Sequence, residues 1–184
     1  MSVRVGQRPC PKERALQQFR VNGPFIVPTT KLATGSKTIG KDEVKRFWAN
    51  HGTLREKVGA YIFAIQAGGG HTPMYVGKAT KSFGQEVFAT DKLNKYFNAM
   101  GQYRSGTPVL FLVASPKKPG VINSKHIAEL EKFLIQQGRV VNPDLLNKVH
   151  AKPPAWSIDG ALRSKVKKPT KSAQAFRKSF ALAG

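Results

Sequence analysis

With 184 residues, 31 Lys plus Arg against 10 Asp plus Glu and a formal net charge of +21, the chain attracts phosphate backbones by displacing their counterions. Charge alone points first to a non-enzymatic nucleic-acid binder. Cys10 is the only cysteine, which excludes an internal disulfide and a cysteine-based zinc cage, and no disulfide-linked partner is expected.

The opening stretch, MSVRVGQRPCPKER, lacks the apolar core of a secretory signal, and the longest apolar run, VLFLVA, is far too short to span a bilayer. The expectation is a soluble, cytoplasmic protein without a membrane partner, its length suiting one core of ordinary size with arms attached. Residues 1–49 read as a basic N-terminal extension with a helix. In it GSKTIGK has the spacing of a phosphate-binding loop, but Asp42 stands where a Ser or Thr hydroxyl should meet magnesium and no strand precedes it. That segment reads as a turn and helix start. From Lys41 to His51, Val44, Phe47 and Trp48 fall at helical spacing.

The central domain is expected over 50–150. Tyr61, Phe63 and Ile65 alternate with Ile62 and Ala64 as in a strand covered on both faces, three glycines follow, and a returning strand ends in Tyr75-Val76-Gly77-Lys78. KATKSFGQEVF reads as a loop and short helix. Thr90-Asp91 then reads as the cap of a helix whose Leu93, Tyr96, Phe97 and Met100 form an apolar stripe, with Lys92, Lys95 and Asn98 elsewhere and Gly101 at its end. PVLFLVAS at 108–115 is a buried strand by its unbroken apolarity, and a core helix runs from about Ser124 to Gly138. This order predicts an α+β domain with a small, three-stranded antiparallel sheet flanked by helices.

Residues 151–184 form a basic C-terminal tail, the segment densest in cations, with no long apolar face. Its Trp156, Phe176 and Phe180 either dock on the domain or stack on bases. His51, His71, His126 and His150 are scattered without metal-ligand spacing. On the last core helix Glu131 falls between Ile127, Leu130, Leu134 and Ile135, while Glu129 points away. A carboxylate in an apolar face costs several kcal/mol to desolvate unless a cation or hydrogen-bond donors compensate it.

Gly59-Ala60-Tyr61 followed by Tyr75-Val76-Gly77-Lys78-Ala79 resembles the GIY-YIG nuclease family, the second segment being similar to its form in excision-repair nuclease subunits. LEKFLI at Leu130 to Ile135 resembles that family's metal-binding glutamate helix. The resemblance implies an endonuclease that hydrolyses DNA phosphodiester bonds with one Mg²⁺ or Mn²⁺ ion per site on Glu131. Tyr61 and Tyr75 would flank the water and the scissile phosphate, and Lys78 would lower a tyrosine pKa or contact the phosphate. The family also carries an asparagine after the glutamate helix, for which Asn142 and Asn147 are candidates.

One position departs from the family. Its helical arginine about ten residues after the second tyrosine is replaced here by Gln85 and Glu86, and no arginine lies between Arg55 and Arg104. Loss of such a donor typically costs roughly 10²–10³ in rate. Lys81, Lys92, Lys95 and Arg104, with Asn147, are the candidate nucleic-acid contacts, and Glu86 could stand as a second metal ligand. A nucleic-acid-binding protein that kept the fold and lost turnover is therefore the alternative. A ribosome-associated structural protein is a more distant one.

Overall fold

The computed structural model describes residues 18–116, 124–150 and 168–179; the expectations for Cys10, Trp156 and Phe180 lie outside them. The chain divides into two compact units, Met1–Asn147 and Lys148–Gly184. The first contains β1 (Arg20–Ile26), β2 (Thr30–Lys31), β3 (Lys37–Thr38), α1 (Lys41–Arg55), β4 (Gly59–Ala67), β5 (Gly70–Ala79), α2 (Phe83–Glu86), α3 (Thr90–Gln102), β6 (Thr107–Ala114) and α4 (Ser124–Val141). Among the described residues no helix is long and apolar enough to cross a membrane.

The α+β class is observed, but the main sheet has four strands rather than three, in the order β1-β6-β4-β5 and antiparallel throughout. The added strand, β1, pairs with β6 from Arg20↔Ala114 to Ile26↔Val109, the ladder slipping between Asn22 and Phe25. RVNGPFI shows no clean alternation because Gly23-Pro24 interrupts it, and proline is tolerated in a sheet at such an edge irregularity. Part of the N-terminal stretch thus belongs to the sheet. β2 and β3 form a separate short hairpin.

β4 lies inside the sheet between β5 and β6, which accounts for its unbroken burial from Gly59 to Tyr61 and from Phe63 to Ile65. Gly68 and Gly69, both at positive φ (56° and 80°), turn the chain into β5 as a two-residue hairpin loop requires. Tyr61, Phe63, Ile65, Tyr75, Leu110 and Leu112 share a core with Phe47 and Trp48 of α1 and Tyr96 and Met100 of α3. α4 packs on β5 and β4, and its Ile127 and Ile135 are buried outside that cluster.

Several helix ends differ from the sequence expectation. α3 is capped by Ala89 with no side-chain acceptor, so Thr90 is its first helical residue, and it continues past Gly101 to Gln102. The helix turns Tyr96, Ala99 and Met100 inward and leaves Phe97 44% exposed, so Phe97 leaves the expected stripe. α4 runs past Gly138 to Val141. In the second unit α5 (Lys171–Ser179), a helix the sequence reading did not place, opens where Thr170 Oγ1 accepts from the Ala173 N–H at 3.2 Å.

At the start of α1 the buried Glu43 carboxylate accepts from Thr30 Oγ1 (2.8 Å), the Gly40 N–H (2.9 Å) and Arg46. It ties the β2–β3 hairpin to the helix. The Thr30 hydroxyl, followed by the Gly40 amide and Arg46, lowers its pKa from 4.5 to about 2 against the opposing effect of desolvation. Because the folded pKa is the lower one, this stabilisation is present above the unfolded value and is lost as pH falls from about 4.5 towards 2. Thermal melts across that window should show the wild type losing more melting temperature than Glu43→Gln; equal losses would remove Glu43 as an acid-sensitive group.

Candidate functional site

The two motif segments lie side by side. Gly59-Ala60-Tyr61 opens β4 and Tyr75-Val76-Gly77-Lys78 closes β5, with Gly59↔Ala79, Ala60↔Lys78 and Tyr61↔Gly77 opposed. The Tyr61 ring lies directly over Gly77, where a Cβ would come within 2.3 Å of Cζ. The missing side chain lets the ring pass across the neighbouring strand into the core, leaving Tyr61 with no exposed surface. Its hydroxyl is enclosed with no well-formed hydrogen bond among the described residues, beside the Tyr96 hydroxyl, which donates to Val87 O at 2.7 Å. Burial, followed by the neighbouring Tyr96 and Tyr75, pushes the Tyr61 phenol far above its ordinary range. The expectation that Tyr61 flanks an attacking water is not met by this placement: strand position brings it beside Tyr75, at 6.2 Å between ring centroids, but depth keeps its oxygen from solvent.

Tyr75 is nearer the surface, 6% exposed. Lys95 Nζ stands 4.5 Å from its ring centroid, a cation–π contact, and Lys92 is its other cationic neighbour from α3. Desolvation raises the Tyr75 pKa, opposed by Lys92 and reinforced by the Glu131 charge, so Tyr75 is a neutral phenol at neutral pH. Lys92 pairs with Asp91; desolvation disfavours its charge, yet Asp91, Tyr75 and Glu86 raise its pKa.

Alternation along β5 turns Lys78 to the face opposite Tyr75 and Gly77. There Lys78 Nζ meets Glu131 Oε2 of α4 at 3.0 Å, the lysine side chain 44% and the glutamate 14% exposed. The carboxylate that the sequence sets among apolar residues is thus compensated by the lysine of the second motif. β5 is the last strand of the sheet, and the Glu131 charge is felt across it at Tyr75. The candidate rim therefore has two sides, Tyr75 with Lys92 and Lys95 on the α3 face of β5 and the Lys78–Glu131 pair on the α4 face, with Glu86 close enough to act on Lys92. Lys81 is exposed in the loop after β5; Arg104 is exposed in the α3–β6 connection, and no described contact joins it to the rim.

Asn147 has a different task from the phosphate contact expected of it. Its Oδ1 accepts from the Val76 N–H at 2.9 Å and its Nδ2 donates to Val76 O at 2.8 Å. Asn142 Nδ2 donates to Pro73 O at 2.8 Å, its Oδ1 accepts from the Asp144 N–H, and the Leu146 N–H donates to Met74 O. The segment after α4 therefore covers the outer edge of β5 through two asparagine side chains and one backbone bond, the protection an exposed strand edge needs. The signal for it in the sequence is the Asn-Pro-Asp turn that folds the chain back after α4.

Among the described residues no three His, Cys, Asp or Glu side chains gather. One carboxylate does not make a preformed cage, but it fits a hard cation that keeps its waters and is held jointly with a substrate phosphate. Lys78 already neutralises Glu131 and is itself nearly half exposed. No family model matches the chain, and no curated protein or solved structure matches it.

Proposed function

We propose that the chain is a divalent-metal-dependent endonuclease hydrolysing DNA phosphodiester bonds, on a GIY-YIG-like domain. The observation that supports it is the Lys78–Glu131 ion pair, which joins the second motif to the glutamate helix at the strand that carries Tyr75. Composition supports an anionic polymer as substrate, since the net charge is +21.

In this reading Glu131 holds one Mg²⁺ or Mn²⁺ ion, which supplies Lewis-acid polarisation of the phosphate when bound. Lys78 moves from the carboxylate to a non-bridging phosphate oxygen as the substrate arrives. Tyr75, kept neutral by burial, donates a hydrogen bond to the phosphate rather than taking a proton from water. Lys92 and Lys95 offset the charge that builds in the transition state, the task a helical arginine performs in the family. Tyr61 supports the strand pair from within.

A second reading is favoured by Gln85 and Glu86, which stand where that arginine would be, and by the enclosed Tyr61 hydroxyl: a protein that binds nucleic acid on this fold without turnover. A supercoiled-plasmid nicking assay with Mn²⁺ or Mg²⁺ and with chelator separates the two. Metal-dependent nicking is expected; DNA binding without nicking moves the function to the second reading, and neither binding nor nicking removes both.

A further inference from the structure

Away from the Tyr75 rim, a groove of about 590 Å³ runs along the outer side of α1. Lys41, Lys45 and Arg55 line it over a floor that includes Trp48, with Gly52 leaving room at its middle and Glu56 as its acid. Positions 41, 45 and 48 share one side of the helix by their spacing, and Gly52 and Arg55 follow the kink at His51 and line the same groove. The three cations are exposed, and none takes part in an ion pair among the described residues. The helix's own described ion pair, Glu43 with Arg46, involves none of the three.

The groove also has a direction. At its far end Arg55 lies along α2: a Cβ on Gly84 would come within 2.7 Å of Arg55 Cγ and 3.1 Å of Nε. The Phe83 N–H donates to Lys57 O at 2.8 Å, fixing the end of α1 to the start of α2. α2 begins just after Lys81 and Ser82, which follow β5. The cations of α1 thus lead to the helix that follows the strand bearing Tyr75 and Lys78. Exposed cations over a floor that includes an indole, two of them one helical turn apart and the third at the far end, suit a polyanionic backbone, in which each ammonium or guanidinium meets a phosphate.

From this geometry we infer that the α1 groove is a second nucleic-acid contact, in which Lys41, Lys45 and Arg55 hold backbone phosphates of DNA whose neighbouring segment lies at the β5 rim. The inference rests on the nucleic-acid partner proposed above, not on cleavage. Its ligand is the phosphodiester backbone, read without regard to sequence.

The test is fluorescence anisotropy of a short labelled DNA duplex titrated with the full chain across a salt series. Each lost phosphate contact lowers the slope of log K against log salt by about 0.9, so Lys41→Ala/Lys45→Ala/Arg55→Ala should lower it by about 2.7. Lys41→Arg/Lys45→Arg should keep the wild-type slope. Should the triple variant misfold because Arg55 packs on α2, the exposed pair Lys41→Ala/Lys45→Ala carries the test with a fall of about 1.8. DNA binding with an unchanged slope overturns the groove and leaves the rim intact. Binding to phosphatidylserine vesicles but not to DNA overturns the groove and the proposed function together.

Discussion

Glu131→Gln should lower metal-dependent nicking by roughly 10²–10³-fold, the loss seen when one preorganised electrostatic group is removed from a phosphate or acyl site. The fold should barely notice. The pair it breaks has a lysine 44% exposed, and such pairs contribute about 0–1 kcal/mol, while the change also relieves the desolvation of a carboxylate among Ile127, Leu134 and Ile135. The decisive combination is an unchanged denaturation midpoint with lost nicking and lost Mn²⁺-dependent protection. If nicking survives in Glu131→Gln, Glu131 is not the metal ligand and the reading of this rim as a nuclease site falls with it. Lys78→Ala gives a complementary result: Glu131 is left without its cation, so binding of Mn²⁺ should tighten even as turnover falls.

The largest expected loss of stability comes from the glycines of the two motifs. Gly59 has φ near 154°, and a Cβ there would stand 2.0 Å from Val113 O, a backbone atom of the central ladder that cannot step aside. Gly59→Ala should therefore cost about 2–5 kcal/mol, from strain in a region L residues avoid and from overpacking. Gly77→Ala meets a side chain instead, the buried Tyr61 ring. Its cost should largely persist in the double variant Gly77→Ala/Tyr61→Phe, because Phe keeps the ring carbon Cζ 2.3 Å from the added carbon. A denaturant series on the four proteins measures both, and near-neutral effects at both glycines would mean that the close strand approach is not as described.

These glycines show what kind of information the sequence carried. Gly59 and Gly77 were legible as small residues beside tyrosines, and the strand pair that opposes them follows from the apolar runs around the glycine turn. Alternation sets Tyr61 with Tyr75 and against Lys78, whereas the sequence expectation gathers all three around one phosphate. Depth was not legible: alternation says which side of a sheet a residue takes, and the packing of α3 over that side decides whether its oxygen meets water. Lys92 and Lys95, expected off the apolar stripe as nucleic-acid contacts, are half-buried beside Tyr75 while Phe97 is exposed, because α3 is rotated from the expected face. β1 carries no strand signal in the sequence because it is an edge strand with Val21 and Ile26 exposed and Gly-Pro inside it, so its residues show no period. Glu131 was the opposite case, a charge out of keeping with its neighbours, and its partner Lys78 could be named only once α4 was laid across β5.

The asparagine clamp on β5 bears on how the chain is made. β4 and β5 emerge from the ribosome early, yet the groups that close their outer edge, Asn142, Leu146 and Asn147, are among the last of the domain to be synthesised. At about 5–20 residues per second the nascent hairpin waits several seconds with Met74 and Val76 unpaired. During that interval a second nascent chain on the same message offers the same edge. Slower translation between Ala79 and Asn147 is therefore expected to lower the yield of folded protein, which slow synonymous codons in that stretch would measure.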